Sequence, residues 1–252
     1  MRAAIDNPFL VLLGSLIVFW VSAWIGTRLH RVLHIGESDR ENFSFVLGGT
    51  LTLLGLLLGF TFSMAVGRYD LRKSHEEQEA NAIGTACGQA DLLSATDAAR
   101  VRGLLRTYVE QRLLFYTLND AEQLRRVDAE TTRLQQEMWT VVTAHASAQP
   151  TSVAALIVSG MSDVLSSQGY SQAAWRNQIP TEAWALVVGI GILSNALVGL
   201  RARERSATLL LILPIVLSVT LFLIADIDSP RIGVIHVVPR EMAAVAESIR
   251  GP

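Results

Sequence analysis

Long uncharged stretches dominate the hydrophobic pattern of this 252-residue chain. Four windows lack Asp, Glu, Lys and Arg and have the length of a membrane-crossing helix, for which about 17 to 25 residues are needed. They are residues 7–27, 42–67, 183–200 and 206–225. The pattern therefore predicts an all-α membrane protein with four transmembrane helices.

Polar, helix-patterned sequence separates the second window from the third. Its apolar residues recur at spacings of three and four, and alternating runs of strand type are absent. Residues 138–162 are uncharged too, but His145, Gln149 and Pro150 would be costly in hydrocarbon, and Pro150 is predicted to separate two soluble helices. One row follows a heptad with two polar members. It consists of Leu124, Val127, Thr131, Leu134, Met138, Val141, His145 and Ala148.

These patterns predict a helical bundle inserted between the second and third transmembrane helices, and four parts in all. The parts are 7–67 (two spans and a short arginine-containing loop), 68–181 (the bundle), 182–226 (two spans) and 227–252 (the C-terminal tail). The first bundle helix should continue the second span to about Leu93. The next should begin near Thr96 or Asp97, which are good capping residues. In the tail, a short extended stretch, 232–238, precedes a short helix.

The second window contains the clearest candidate for a functional surface. Five small residues step by four, three, four and four, so they share one face of a helix. They are Gly48, Thr52, Gly55, Gly59 and Ser63, called here the small-residue stripe. Close helix packing of the small-xxx-small type explains such a stripe, and it is the commoner explanation. A pore is the other, since small residues leave room and hydroxyl groups contact water or ions.

Polar residues in the spans and next to them are further candidates for functional residues. Asn195 is the one amide in the third window, and an interhelical hydrogen bond is the expected role, with a pore-facing position as the alternative. Arg68, Asp70 and Arg72 follow the second window, and Asp226 and Asp228 follow the fourth. Charges there either form a vestibule ring that concentrates ions or mark the edge of the membrane.

Charge and composition exclude several classes of function. A net charge of −2 gives no reason to expect a nucleic-acid partner, and a single cysteine, Cys87, cannot form an internal disulfide. Motifs for catalysis or for cofactor binding are missing, so we expect neither an enzyme nor a cofactor. His30 and His34 have a spacing that suits a metal, but an interfacial pair without a ligand is the expected state, and no metal site is predicted.

Arginines in the short loops bear on orientation. The loops at 28–42 and 201–205 hold six arginines, and the N-terminal segment and tail hold four. The positive-inside rule counts short loops and largely ignores a long insert, which places the bundle outside the cytoplasm. Including charges near span ends, such as Arg68 and Arg176, weakens or reverses this result, so both orientations stay open.

The stretch GLLLGFTFSMAVGRYDLRK, followed by EANAIGTA at 79–86, resembles the bacterial bestrophin-like domain family. The likeness continues at RNQIPTEAW (176–184) and FLIADIDSPRIGVIHV (222–237), and it covers nearly the whole chain. The resemblance implies a homo-oligomer, a pentamer as in bestrophins, that conducts anions along an axis surrounded by the second transmembrane helix. It also implies a cytosolic bundle.

Taken together, the residues and the resemblance predict a passive ion channel for small anions in the bacterial inner membrane. Its partners would be copies of itself, the lipid bilayer and small inorganic ions, with the bundle forming a vestibule. Two alternatives remain. One is a cation channel of the same architecture, and the other is a non-conducting scaffold or sensor that docks a partner through the heptad row.

Overall fold

The computed structural model describes residues 7–33, 37–201 and 209–250, and regular structure in these ranges is helical throughout. A 3₁₀ turn at Ala90–Leu92 joins the second helix to the third. The α-helices are α1 (Pro8–Leu33), α2 (Glu37–Gln89), α3 (Ala95–Thr117), α4 (Ala121–Ala148), α5 (Ser152–Arg176), α6 (Thr181–Arg201), α7 (Leu209–Asp228) and α8 (Arg240–Arg250). The all-α prediction is confirmed.

The described chain has four helices that are long and apolar enough to cross a membrane, so the multi-pass prediction is confirmed too. Among them α2 has 53 residues, which corresponds to about 80 Å of helix, far more than a bilayer core of about 30 Å. Charged residues recur in α2 from Arg68 onward, so its membrane-crossing part ends near Gly67. The remainder continues the same helix into the bundle.

The loop predicted at 28–42 is much shorter than expected. α1 extends to Leu33 and α2 already begins at Glu37, because polar residues are well tolerated in helix ends that leave the hydrocarbon. His34, Arg203 and Arg205 lie outside the described residues, and the side chains of His30, Arg31 and Arg40 are not among those described.

The chain divides into two compact units. The first consists of two segments, the chain up to Arg68 and Gln178–His236, and it contains the membrane helices. In this unit α1 packs against α6 and α7. The hydroxyl of Ser22 donates to the backbone oxygen of Ile192 at 2.7 Å. Further along both helices Gly26 meets Gly199, so α1 and α6 run parallel and their backbones come into contact there.

The second unit, Tyr69–Asn177 with the chain from Val237 onward, is the helical bundle. Side-chain caps mark where its helices begin: Ser94 for α3, Asp120 for α4 and Thr151 for α5. The predicted start of α3 was therefore two or three residues late. Ser94 is the cap, its hydroxyl accepts from the Asp97 backbone N–H, and the two side chains also bond to each other.

The heptad row lies on the inner side of α4, which packs against α3 and α5. Leu134 and Met138 are fully buried in the bundle core, and His145 is half-buried. The heptad row therefore packs against helices of the same chain. Its most buried members are Val127, Thr131, Leu134, Met138 and Val141.

Candidate functional site

The small-residue stripe of α2 faces away from its own protomer. All five members are exposed, and no described atom lies within 4 Å of a Cβ built at Gly48, Gly55 or Gly59. The hydroxyl of Thr52 donates to the Gly48 backbone oxygen at 2.9 Å, which keeps the side chain along the helix. The stripe is therefore a smooth surface that the same chain leaves uncovered.

A different row of α2 is buried within the protomer. At 100° per residue, this row lies roughly a third of a turn from the stripe. It consists of Leu54, Leu58, Thr61 and Ala65. Next to the stripe, Phe60 and Phe62 are 59% and 41% exposed. The outward side of α2 thus combines small residues with large apolar ones, as a lipid-facing or subunit-facing helix does.

Asn195 is fully buried, but it does not make the predicted interhelical hydrogen bond. Its Nδ2 donates to the Gly191 backbone oxygen at 2.8 Å, within α6, and Oδ1 has no hydrogen-bond partner in the described part of the chain. The α1–α6 contact is instead made by the backbones at Gly26 and Gly199 and by a serine.

The charges after the second span divide into two groups. Asp70 is exposed and Arg68 is half-buried. Arg72 is only 1% exposed, and its Nη2 donates to the backbone oxygen of Asn177 at 3.5 Å. Arg72 therefore does not belong to a solvated ring of charges, which corrects the prediction. It occupies the buried side of α2, where its guanidinium contacts the chain at the end of α5.

Asp226 and Asp228 are not solvated membrane-edge charges either, since both are buried. Asp226 accepts hydrogen bonds from the backbone N–H groups of residues 234 and 235, at 2.8 Å each. The turn before them uses Gly233 with φ of +147°, and a Cβ there would overlap the Asp226 carboxylate. Asp228 accepts from the Ile179 N–H at 3.0 Å. Both carboxylates shape the backbone around the ends of α6 and α7.

A buried polar network, which the sequence did not lead us to expect, lies in the bundle. Glu79 of α2 accepts from Arg112 of α3 through Nε and, at 3.2 Å, through Nη2. The Tyr116 hydroxyl donates to the same carboxylate at 2.8 Å and the Ser171 hydroxyl of α5 at 2.7 Å. Glu79 and Arg112 are both fully buried. One carboxylate therefore joins three helices.

Electrostatics keep Arg112 charged and Tyr116 protonated. Burial is the largest single influence and lowers the pKa of Arg112, but Glu79 together with Tyr108 and Tyr116 raises it by more, so the net pKa is raised and the guanidinium stays charged. Burial raises the pKa of Tyr116, and the Glu79 charge raises it further, so the phenol remains a donor. Three side chains donate to the one carboxylate, while Nη1 of Arg112 is buried without a hydrogen-bond partner among the described residues. In the described ranges no three His, Cys, Asp or Glu side chains cluster as metal ligands would.

A sequence signal for this network does exist. Val101, Leu105, Tyr108, Arg112 and Phe115 follow spacings of four, three, four and three, which is the buried face of α3. An arginine on such a row needs a buried acidic partner. The spacing does not show which acidic residue is the partner of Arg112.

The model of the bestrophin-like domain matches residues 13–242. The chain belongs to the bestrophin-like family. A crystal structure of a bacterial bestrophin homologue from Klebsiella pneumoniae has a TM-score of 0.65 and 17% identity, covering 96% of this chain and 95% of that chain. A crystal structure of a substituted form of that homologue has a TM-score of 0.67 and 16% identity, covering 97% of this chain and 99% of that chain. No curated protein matches the sequence.

At this level of identity, the likeness to solved structures shows that the bestrophin-like fold is shared. The family match begins in α1 and ends at Met242, in the first turn of α8. It therefore includes the whole small-residue stripe and the Glu79 network. Most of α8 lies beyond it.

Proposed function

We propose that this bestrophin-like protein is an oligomeric ion channel of the bacterial inner membrane, in which the second span of each copy faces a shared axis. The observation that supports this most is the position of the small-residue stripe. Its five members are exposed on the protomer, and no described residue comes within 4 Å of a Cβ added to any of its three glycines.

Glycine on a lipid-facing surface has no physical advantage. Each glycine within a helix costs about 1 kcal/mol relative to alanine, and it buries less apolar surface in lipid than leucine would. Three glycines on one exposed face therefore need a compensating role outside the protomer. Close approach of neighbouring copies and a water-filled path along the axis both supply one, and the two roles are compatible on opposite edges of the stripe.

The stripe carries hydroxyl groups and no ionisable side chain, so it can contact ions of either sign. We propose passive conduction of small anions, because that is what the family resemblance implies. A cation channel of the same architecture is the alternative. We propose that two charged residues act on ions where the second span ends. They are Arg68 and Asp70, and Asp70 is exposed.

A scaffold that docks a partner through the heptad row has less support. Four apolar members of the row are buried in the bundle, where α4 packs against α3 and α5, so a partner would have to open the bundle to reach them. They are Val127, Leu134, Met138 and Val141. The exposed apolar surface of the chain lies mainly on the membrane helices instead, where lipid or another copy covers it.

Flux measurements test the proposal. Wild-type protein in liposomes should pass chloride, with potassium flux measured in parallel to separate the anion channel from the cation channel. Gly55→Leu and Gly59→Leu should each lower the flux about tenfold, a change worth about 1.4 kcal/mol, because a leucine on the stripe narrows the path and dewets it.

Gly14→Leu is the matched control. Gly14 is also exposed in a membrane helix with no described atom within 4 Å of its added Cβ, but it lies on α1. It should keep wild-type flux, and all three variants should keep the wild-type oligomer mass. Absence of any flux in the wild type, or equal flux in all variants, would refute the proposal.

A further inference from the structure

The chain folds back on itself where the last membrane helix, α7, ends. Asp226, in the last turn of α7, accepts from the backbone N–H groups of Val234 and Ile235, one through each carboxylate oxygen. Gly233 makes the turn between them with a positive φ. Residues 232–235, called here the return segment, therefore lie beside the last turn of α7, in the same compact unit.

The return segment exposes a cluster of aliphatic side chains. Ile232 is 45% exposed, Val234 69% and Ile235 37%. Single apolar residues on a surface are ordinary, but three within four residues form a patch, and such patches mark contact with a membrane or with another protein.

The exposed face of α7 shows which of these two covers the patch. The apolar residues on that face follow spacings of three, one, three and four, so they form one stripe along a helix that is long and apolar enough to cross a membrane. They are Ile212, Ile215, Val216, Val219 and Leu223.

The return segment continues this stripe. Asp226 follows Leu223 by three residues and so occupies the next turn of the same face, yet it is only 1% exposed. The return segment lies against its carboxylate, so Val234 and Ile235 present apolar surface where the helix itself has an acid. The lipid-facing surface of α7 thereby extends by one turn.

Hydrogen bonding in the return segment also suits contact with lipid. Irregular backbone beside hydrocarbon is costly unless its polar groups are satisfied within the protein. The N–H of Ile232 donates to the Ser229 hydroxyl oxygen at 3.3 Å, and those of Val234 and Ile235 donate to Asp226. The three residues with exposed apolar side chains are thus residues whose N–H groups have acceptors in the same chain.

We propose that the return segment is a lipid contact, in which Ile232, Val234 and Ile235 lie in the boundary between headgroups and acyl chains beside the end of α7. Apolar faces that bind there enter the boundary by about 5 to 10 Å. This contact does not depend on whether the protein conducts ions, and it involves none of the small-residue stripe of α2.

Spin labels on the full-length protein in phosphatidylcholine vesicles test the contact. A nitroxide is attached to Val234→Cys in the Cys87→Ser background, and its collisions with two reagents are measured. Oxygen concentrates among acyl chains, whereas a polar nickel chelate stays in water. Val219→Cys, on the α7 stripe, is the lipid reference. Thr132→Cys is the water reference, because Thr132 is exposed on α4 beside the ion pair of Arg133 with Glu130.

The ratio of oxygen to nickel collisions should be highest at Val219→Cys and lowest at Thr132→Cys. Val234→Cys should lie between them, at least about threefold above the water reference, because apolar surroundings exclude the polar chelate. Ile232→Cys is a second labelling position and should give the same order. A ratio equal to that of Thr132→Cys would overturn the proposal. A label that neither reagent reaches would overturn it too, since a neighbouring copy would then cover the return segment.

Discussion

Replacing Glu79 by alanine should lower the midpoint of thermal unfolding by roughly 6 to 20 °C. The substitution leaves the fully buried Arg112 without its carboxylate, and breaking a buried ion pair from one side costs about 3 to 5 kcal/mol. Tyr116 and Ser171 lose their acceptor at the same time. The measurement is thermal unfolding of the purified protein in detergent, followed by circular dichroism.

Glu77→Ala is the control for the loss of an acidic residue from the same helix. Its side chain is 45% exposed and pairs with Lys73, so the change should stay within about 1 kcal/mol. A double variant, Glu79→Leu with Arg112→Met, should recover part of the loss, because it removes both buried charges. An unfolding midpoint for Glu79→Ala equal to that of Glu77→Ala would show that the network does not stabilise the bundle.

Gly199→Ala is the second substitution with a large expected effect. A Cβ at Gly199 would overlap the backbone oxygen of Ala23 and approach the Gly26 Cα at 3.1 Å. Because these are backbone atoms, α1 and α6 must separate to admit the methyl group. We expect a cost of about 3 kcal/mol, seen as a midpoint lower by roughly 6 to 12 °C in the same assay.

Gly189→Ala, on the same helix, separates this clash from any general effect of glycine. No described atom lies within 4 Å of a Cβ at Gly189, so the variant should gain up to about 1 kcal/mol from helix propensity. The two substitutions therefore have opposite expected signs. If both variants unfold at the same temperature, the close approach of α1 and α6 is not a determinant of stability.

The sequence predicted the architecture because membrane helices follow from local properties. The length of a charge-free window and the onset of charge at Arg68 are readable without any long-range contact, and the structure confirms all four spans. The continuity of α2 into the bundle followed for the same reason, since its apolar and polar parts share one helical period.

Contacts between residues that are far apart in the sequence could not be predicted. Glu79 bonds a residue 33 positions away, and Gly26 meets a glycine 173 positions away, so neither contact is visible in a local pattern. Arg72, Asp226 and Asp228 were misplaced for a related reason. Charge beside a span predicts the membrane edge, but in this protein the same groups bond the backbone of other segments.

The proposed role of the small-residue stripe can be examined with a pair of cysteine variants at one depth. Gly59→Cys and Phe60→Cys are adjacent on α2, one on the stripe and one beside it, and both positions are exposed on the protomer. Cys87→Ser supplies a background without the native thiol, since Cys87 is the chain's single cysteine.

The decisive measurement is the rate at which a charged, water-soluble thiosulfonate modifies each cysteine in membranes. Apolar surroundings such as lipid raise the pKa of a thiol, so a cysteine in contact with water forms the reactive thiolate more readily. If the stripe lines a water-filled path, Gly59→Cys should react at least about tenfold faster than Phe60→Cys, as expected for about one unit of difference in the pKa of the thiol. Equal rates, or faster modification of Phe60→Cys, would contradict the account.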